Sequence, residues 1–110
     1  MIIVKLDPKT WDRGSLEPPV KLLGRNGMCC MGFAALARGA MEEEIEGFGT
    51  WSECKNETLS ADDEFSFGVL RYAKVYSIND ALGLSDKVRV KRLNAELEKV
   101  EADFRFELEK

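Results

Sequence analysis

Histidine is absent from all 110 residues. That removes the Cys-His and Ser-His nucleophilic pairs and the histidine general base. A zinc site built on the three cysteines would need a carboxylate or a second chain for its fourth ligand. Carboxylate chemistry, a Lys or Tyr acid/base or a Mg²⁺ site remains in principle, and the chain carries a motif for none of them. A Gly-rich phosphate loop is missing too: "GRNG" (24–27) lacks the length and the Lys-Ser/Thr of a P-loop, and "GLS" (83–85) is an ordinary helix cap. The expectation is a protein that is not an enzyme and holds no cofactor or metal.

Long apolar runs are also missing. The longest are four and five residues, "MCCM" and "FAALA", against the roughly 20 that span a bilayer. The opening "MIIVKLD" has no charged n-region before a longer apolar stretch. No membrane association and a cytoplasmic setting are expected. Two of the three cysteines are adjacent, a spacing that rarely meets disulfide geometry, so reduced thiols are expected. A pI near 4.9 and the lack of a basic stripe deny direct nucleic-acid binding its main electrostatic source.

What is present is 45% apolar and 33% charged, enough for one globular domain spanning 1–110 with a single core. "IIVKL" (2–6) reads as a strand. Asp7 then resembles an N-cap with Pro8 at the first helical position, giving one or two turns that Gly14 ends, with Trp11 plugging the edge of the core. "SLEPPV" is a connector because Pro18-Pro19 removes donors and restricts Glu17. A short strand near 20–24 leads to Asn26-Gly27, a pair suited to the central positions of a type I′ turn. "CCMGFAALARGA" has the composition of a buried helix with Gly39 as its C′ residue. Cys29 and Cys30 at its start admit two readings: thiols activated by a helix dipole, or small hydrophobes packed beside Gly32. Packing is favoured because no histidine base is available.

The charge is uneven. Residues 41–66 hold nine acidic residues and one basic one, Lys55, leaving fifteen basic and eleven acidic elsewhere. This segment reads as an acidic surface loop, with one helical turn at "MEEEIEG". As a docking surface it would offer Glu42, Glu43, Glu44, Asp62, Asp63 and Glu64, with Trp51, Phe48 and Phe67 as aromatic anchors. Residues 66–80 read as a second core helix stopping at Asn79-Asp80. Ser85 caps a third, with Val88, Leu93, Leu97 and Val100 as its buried stripe and Lys87, Arg89, Lys91, Arg92 and Lys99 on its outer face. "ADFRFELEK" alternates with period two and reads as a strand. The fold class expected is α+β: a small antiparallel sheet of the N- and C-terminal strands plus the 20–24 strand, packed by about three helices.

The early "W-x-R-G", the "NGMCCMGF" helix start and "YSINDALGLSD" together resemble small proteins encoded by bacteriophages, whose matching segments read MCCLGF, L-x-x-IND and LSD. Trp11, Arg13, Gly14, Cys29, Cys30, Gly32, Phe33, Asn79 and Asp80 match. Met31 and the serine-rich acidic loop depart. The resemblance implies a host-cytoplasm setting during infection and carries no activity with it. A phage accessory protein without catalytic residues would act by occupying a partner. The leading expectation is a stoichiometric inhibitor of a host protein, such as a CRISPR effector, whose basic groove the acidic loop would fill in place of nucleic acid. The alternative is a binder of a nucleotide signal, with Arg13, Lys21, Arg25, Asn26, Gly27 and the start of the cysteine helix holding the anion. Homo-oligomerisation stays open.

Overall fold

The computed structural model describes residues 1–13, 20–64 and 69–109. Strand β1 (Ile2–Leu6) is followed by α1 (Cys30–Ala37), α2 (Glu42–Ile45), a 3₁₀ turn (Trp51–Glu53), α3 (Glu57–Asp63), α4 (Ala73–Asp80), α5 (Asp86–Lys99) and β2 (Phe104–Leu108). The architecture is α+β. The sheet, however, has two strands and they are parallel, with Ile2 beside Phe104 and Leu6 beside Leu108. A tight turn would have forced an antiparallel pair, but here all the helices lie between the strands and return the chain to the same end. Residues 20–24 form no strand: Leu23 bridges Glu46 and Gly24 bridges Gly27 as isolated contacts.

The alternation read from sequence sets the faces of the sheet. Val4, Leu6, Phe104 and Phe106 point into the core, while exposed Lys5 pairs with Glu107 across the outer face. Phe104 and Phe106 join Trp51 and Tyr72 in an aromatic cluster with centroid distances of 5.2 to 5.8 Å. The outer edge of β2 is closed by Asn94 of α5. Its amide donates to the Phe106 carbonyl at 2.9 Å and accepts from the Phe106 N–H at 2.8 Å, imitating a neighbouring strand.

Asp7 organises the first turn, its carboxylate accepting from Lys9 N at 3.0 Å and its carbonyl from Trp11 N at 2.9 Å, but the expected helical turns do not form, because Trp11 leaves the turn to bridge Met28. The expected end at Gly14, and the 15–19 part of the connector, lie outside the described residues. The turn before α1 differs from the expected one. Gly24 and Gly27 exchange backbone hydrogen bonds, so Arg25 and Asn26 are its central residues, and Asn26 does not adopt positive φ. Gly27 is required for another reason: its φ is +120°, and a Cβ there would overlap the Thr10 carbonyl. Gly32 has the packing role read for it, since a Cβ would overlap the Leu22 carbonyl.

In α5, Ser85 is the N-cap, accepting from Val88 N at 3.3 Å. Leu93 and Leu97 are buried as expected, but Val88 is 40% exposed and Arg89 takes its place inside, 4% exposed. Residues 89, 93 and 97 follow the four-residue spacing of one helix face, which Val88 does not. Helix α4 begins at Ala73, later than the 66–80 expectation, because Leu70 bridges back to Glu64; residues 65–68 lie outside the described chain.

Asn79, at the end of α4, is fully buried and uses its whole hydrogen-bonding capacity. Its Oδ1 accepts from Trp11 Nε1 at 2.7 Å and Cys30 N at 2.9 Å, and its Nδ2 donates to the Asp12 carbonyl at 3.0 Å and Asp80 Oδ1 at 2.9 Å. Replacing it with alanine strands two buried donors. Asn79→Ala is expected to lower the unfolding free energy by about 2–4 kcal/mol, read from urea denaturation. A loss under about 1 kcal/mol, the net worth of one ordinary hydrogen bond, would remove Asn79 from this role.

Candidate functional site

The acidic stretch is built rather than loose. Two of its three short helical elements are started by side-chain hydrogen bonds. Glu44 accepts from Met41 N at 2.8 Å to close the first turn of α2, and Asn56 caps α3 by accepting from Leu59 N at 3.1 Å. The expected 41–66 loop is therefore an ordered segment over its described part, to Glu64.

Trp51 sits at its centre and is 0% exposed, with its indole N–H donating to the Met31 carbonyl at 2.8 Å. It belongs to the core and offers nothing to a partner. Phe48 is half-buried against the same core, and Phe67 lies outside the described residues. Asp62 and Asp63 also point inward. Asp62 is held by Arg38 at 2.9 Å, Arg71 at 2.5 Å and the Tyr72 hydroxyl at 2.7 Å. Asp63 is fully buried and accepts from Tyr72 N, Ser52 N and the Tyr76 hydroxyl at 3.1, 3.3 and 2.8 Å. Burial raises its pKa above the usual carboxylate value despite those bonds. Tyr76, whose half-buried side chain faces Asp63, is pushed far above the ordinary phenol value. Its hydroxyl in turn accepts from Trp51 N at 2.8 Å.

What remains on the surface is a set of glutamates. Glu42, Glu43, Glu46, Glu53, Glu57 and Glu64 are exposed, and Glu44 is intermediate. The ion pairs among the described residues involve none of them: the segment's salt-bridged carboxylate is Asp62. The segment thus divides its acids into anchors turned inward and unpaired charges turned outward. Composition alone could not make this division.

The alternative anion site is not assembled as read. The N-terminus of α1 is occupied, because Cys30 N donates to Asn79 and Cys29 N to the Lys21 carbonyl at 3.2 Å. Arg13 and Asn26 line one cleft, Lys21 lines another, and Arg25 is exposed at the tip of its turn. Cys29 and Cys30 are both buried. Desolvation pushes the Cys29 thiol up to about 12 and the Cys30 thiol well above its usual value, the opposite of an activated nucleophile. Cys54 is raised by burial as well. Among the described residues no group of His, Cys, Asp and Glu is placed to hold a metal ion, and no helix is long and apolar enough to cross a membrane. Comparison with protein-family models, curated proteins and solved structures returned no match.

Asp63→Ala is expected to cost about 2–3 kcal/mol of stability through stranded buried donors, whereas Glu43→Ala should stay within about 0.5 kcal/mol; urea midpoints compare the two. Equal effects would contradict the inward and outward assignment. The thiols give a second measurement. In the folded protein, maleimide should label all three on the order of a hundredfold more slowly than in guanidinium. Because Cys29 keeps its proton in the folded state above the pH at which the unfolded chain releases it, its contribution to stability is complete below pH 9.0 and is lost between there and about 12. A rapidly labelled Cys29 at neutral pH would overturn its packing role.

Proposed function

We propose that the protein acts by stoichiometric binding, presenting its acidic face to a basic groove on a partner protein. The observation that carries this reading is the set of six exposed glutamates, without ion pairs among the described residues, on and immediately after the α2, 3₁₀ and α3 elements, in a segment anchored by Trp51, Asp62 and Asp63. Charges on a folded surface are pre-organised: they need not be ordered on binding, and they raise the rate of encounter with an oppositely charged groove. The resemblance to phage-encoded proteins directs the proposal to a host protein that binds nucleic acid, a defence effector of the CRISPR type being the leading case. In that groove the glutamates would stand where phosphates normally lie.

The test is a variant with Glu42, Glu43, Glu46, Glu53, Glu57 and Glu64 changed to glutamine. Its urea midpoint should match the wild type, since none of these side chains anchors the fold. A partner recovered from host lysate with the wild-type chain should then bind the variant at least tenfold more weakly at low salt, with most of the loss in the association rate. The wild-type association rate should fall steeply as salt rises, and the variant's should not. Equal affinity and equal salt dependence for the two proteins would refute electrostatic docking through this face.

A further inference from the structure

The two strands lie outside the acidic segment in sequence, and their outer edges are finished differently. On β2 the outward N–H and C=O of Phe106 are both taken by the Asn94 amide. Among the described residues, none does this for β1. Ile2 N donates to the Asp103 carbonyl at 2.9 Å and the Leu6 carbonyl accepts from Glu109 N at 2.8 Å, so residues 2, 4 and 6 turn their backbone groups toward β2. Successive residues of a strand point these groups to opposite sides. Ile3 and Lys5 therefore direct theirs away from the sheet, and no described residue hydrogen-bonds to the backbone of either.

Open sheet edges are normally blunted by a proline, a bulge or a free lysine. Ile2–Leu6 is a regular five-residue strand with no proline and an unbroken register against β2. Its one charged residue, Lys5, is drawn sideways to Glu107 on the outer face, and Ile3 beside it is 51% exposed. The sheet also stops at two strands, where about four to six are usual.

The open groups complement their own copies. A second β1 laid antiparallel about Val4 puts Ile3 opposite Lys5 of the second copy, and Lys5 opposite its Ile3. These become the hydrogen-bonded positions of an antiparallel ladder, so four hydrogen bonds satisfy every open N–H and C=O of Ile3 and Lys5 in both strands. On the outer face the aliphatic stem of each lysine covers the exposed Ile3 of the other copy while its ammonium stays with Glu107. Slipping the pair by one residue would bring in Val4, whose groups already bond β2. Slipping it by two toward the C-terminus would set Lys5 against Lys5, a like-charge pair.

We infer that β1 is a pairing edge for a second copy of this chain, forming a two-fold dimer whose continuous four-stranded sheet runs β2-β1-β1-β2.

Sedimentation equilibrium of the full chain between ~10 μM and ~1 mM tests this, with amide hydrogen exchange read at both ends of the range. The mass should rise reversibly toward that of two chains. The Ile3 and Lys5 amides should exchange severalfold more slowly at the higher concentration, while the Val4 amide, bonded to β2, should not change. Ile3→Pro removes an open N–H and Ile3→Lys sets a lysine opposite Lys5; each should weaken dimerisation at least tenfold. Ile3→Glu sets a carboxylate there instead and should dimerise at least as tightly as the wild type. Urea midpoints of the dilute proteins check that each variant folds, and the Lys and Glu variants, at an exposed side chain, decide the matter if Ile3→Pro does not. A chain that stays monomeric up to ~1 mM overturns the proposal and leaves the edge to a strand of another protein. A dimer that Ile3→Lys and Ile3→Glu weaken alike also overturns it, because its contact would then be apolar and without this register.

Discussion

One buried carboxamide holds together segments that are far apart in sequence. Asn79 receives the Trp11 indole and the Cys30 amide and gives its own N–H groups to Asp12 and Asp80, so the first turn, the start of α1 and the end of α4 meet at a single side chain. A buried amide is tolerable only when all its partners are in place, and the low dielectric that strengthens each bond penalises any that is missing. The arrangement also fixes what α1 can do. Its N-terminus is satisfied by Asn79, and its two cysteines are buried as packing.

Arginines play the matching part at carbonyl-rich ends of the chain. Arg89 gathers carbonyls from the last turn of α4 and just beyond it, and Arg71 gathers those of Val100 and Glu101 after α5 at 2.6 to 3.1 Å while pairing with Asp62. Each satisfies several acceptors that a helix end leaves open. These inward charges thus serve the backbone, and the exposed glutamates of the 41–64 segment make no ion pair among the described residues.

Period-two and period-3.6 patterns were legible where they were strong. Val4, Leu6, Phe104 and Phe106 face inward, Ser85 caps α5, Leu93 and Leu97 are buried, and Gly39 follows α1 at φ +95°. Residue chemistry misleads where it departs from position. Val88 is apolar yet exposed and Arg89 charged yet buried, as the four-residue spacing to Leu93 and Leu97 requires. Trp51, Asp62 and Asp63 turn inward although their sequence neighbours are acidic and exposed. The strand direction had no local signal at all, since it depends on how the intervening helices return the chain. Arg13 and Asn26 are visible in the sequence as polar residues near turns, but nothing local to them says that Arg89, far along the chain, lines the same cleft.

The parallel pairing of β1 with β2 has a consequence for the time at which the molecule can form. Lys5 and Glu107 are 102 residues apart, and no strand closer in sequence is present among the described residues to pair with β1. At translation rates of about 5–20 residues per second, β1 waits several seconds for its partner to be made. The aromatic cluster is also incomplete until Phe104 and Phe106 arrive. Assembly is thereby postponed until nearly the whole length from β1 to β2 has been synthesised, and the apolar strand "IIVKL" spends that interval as a segment for a chaperone to shield.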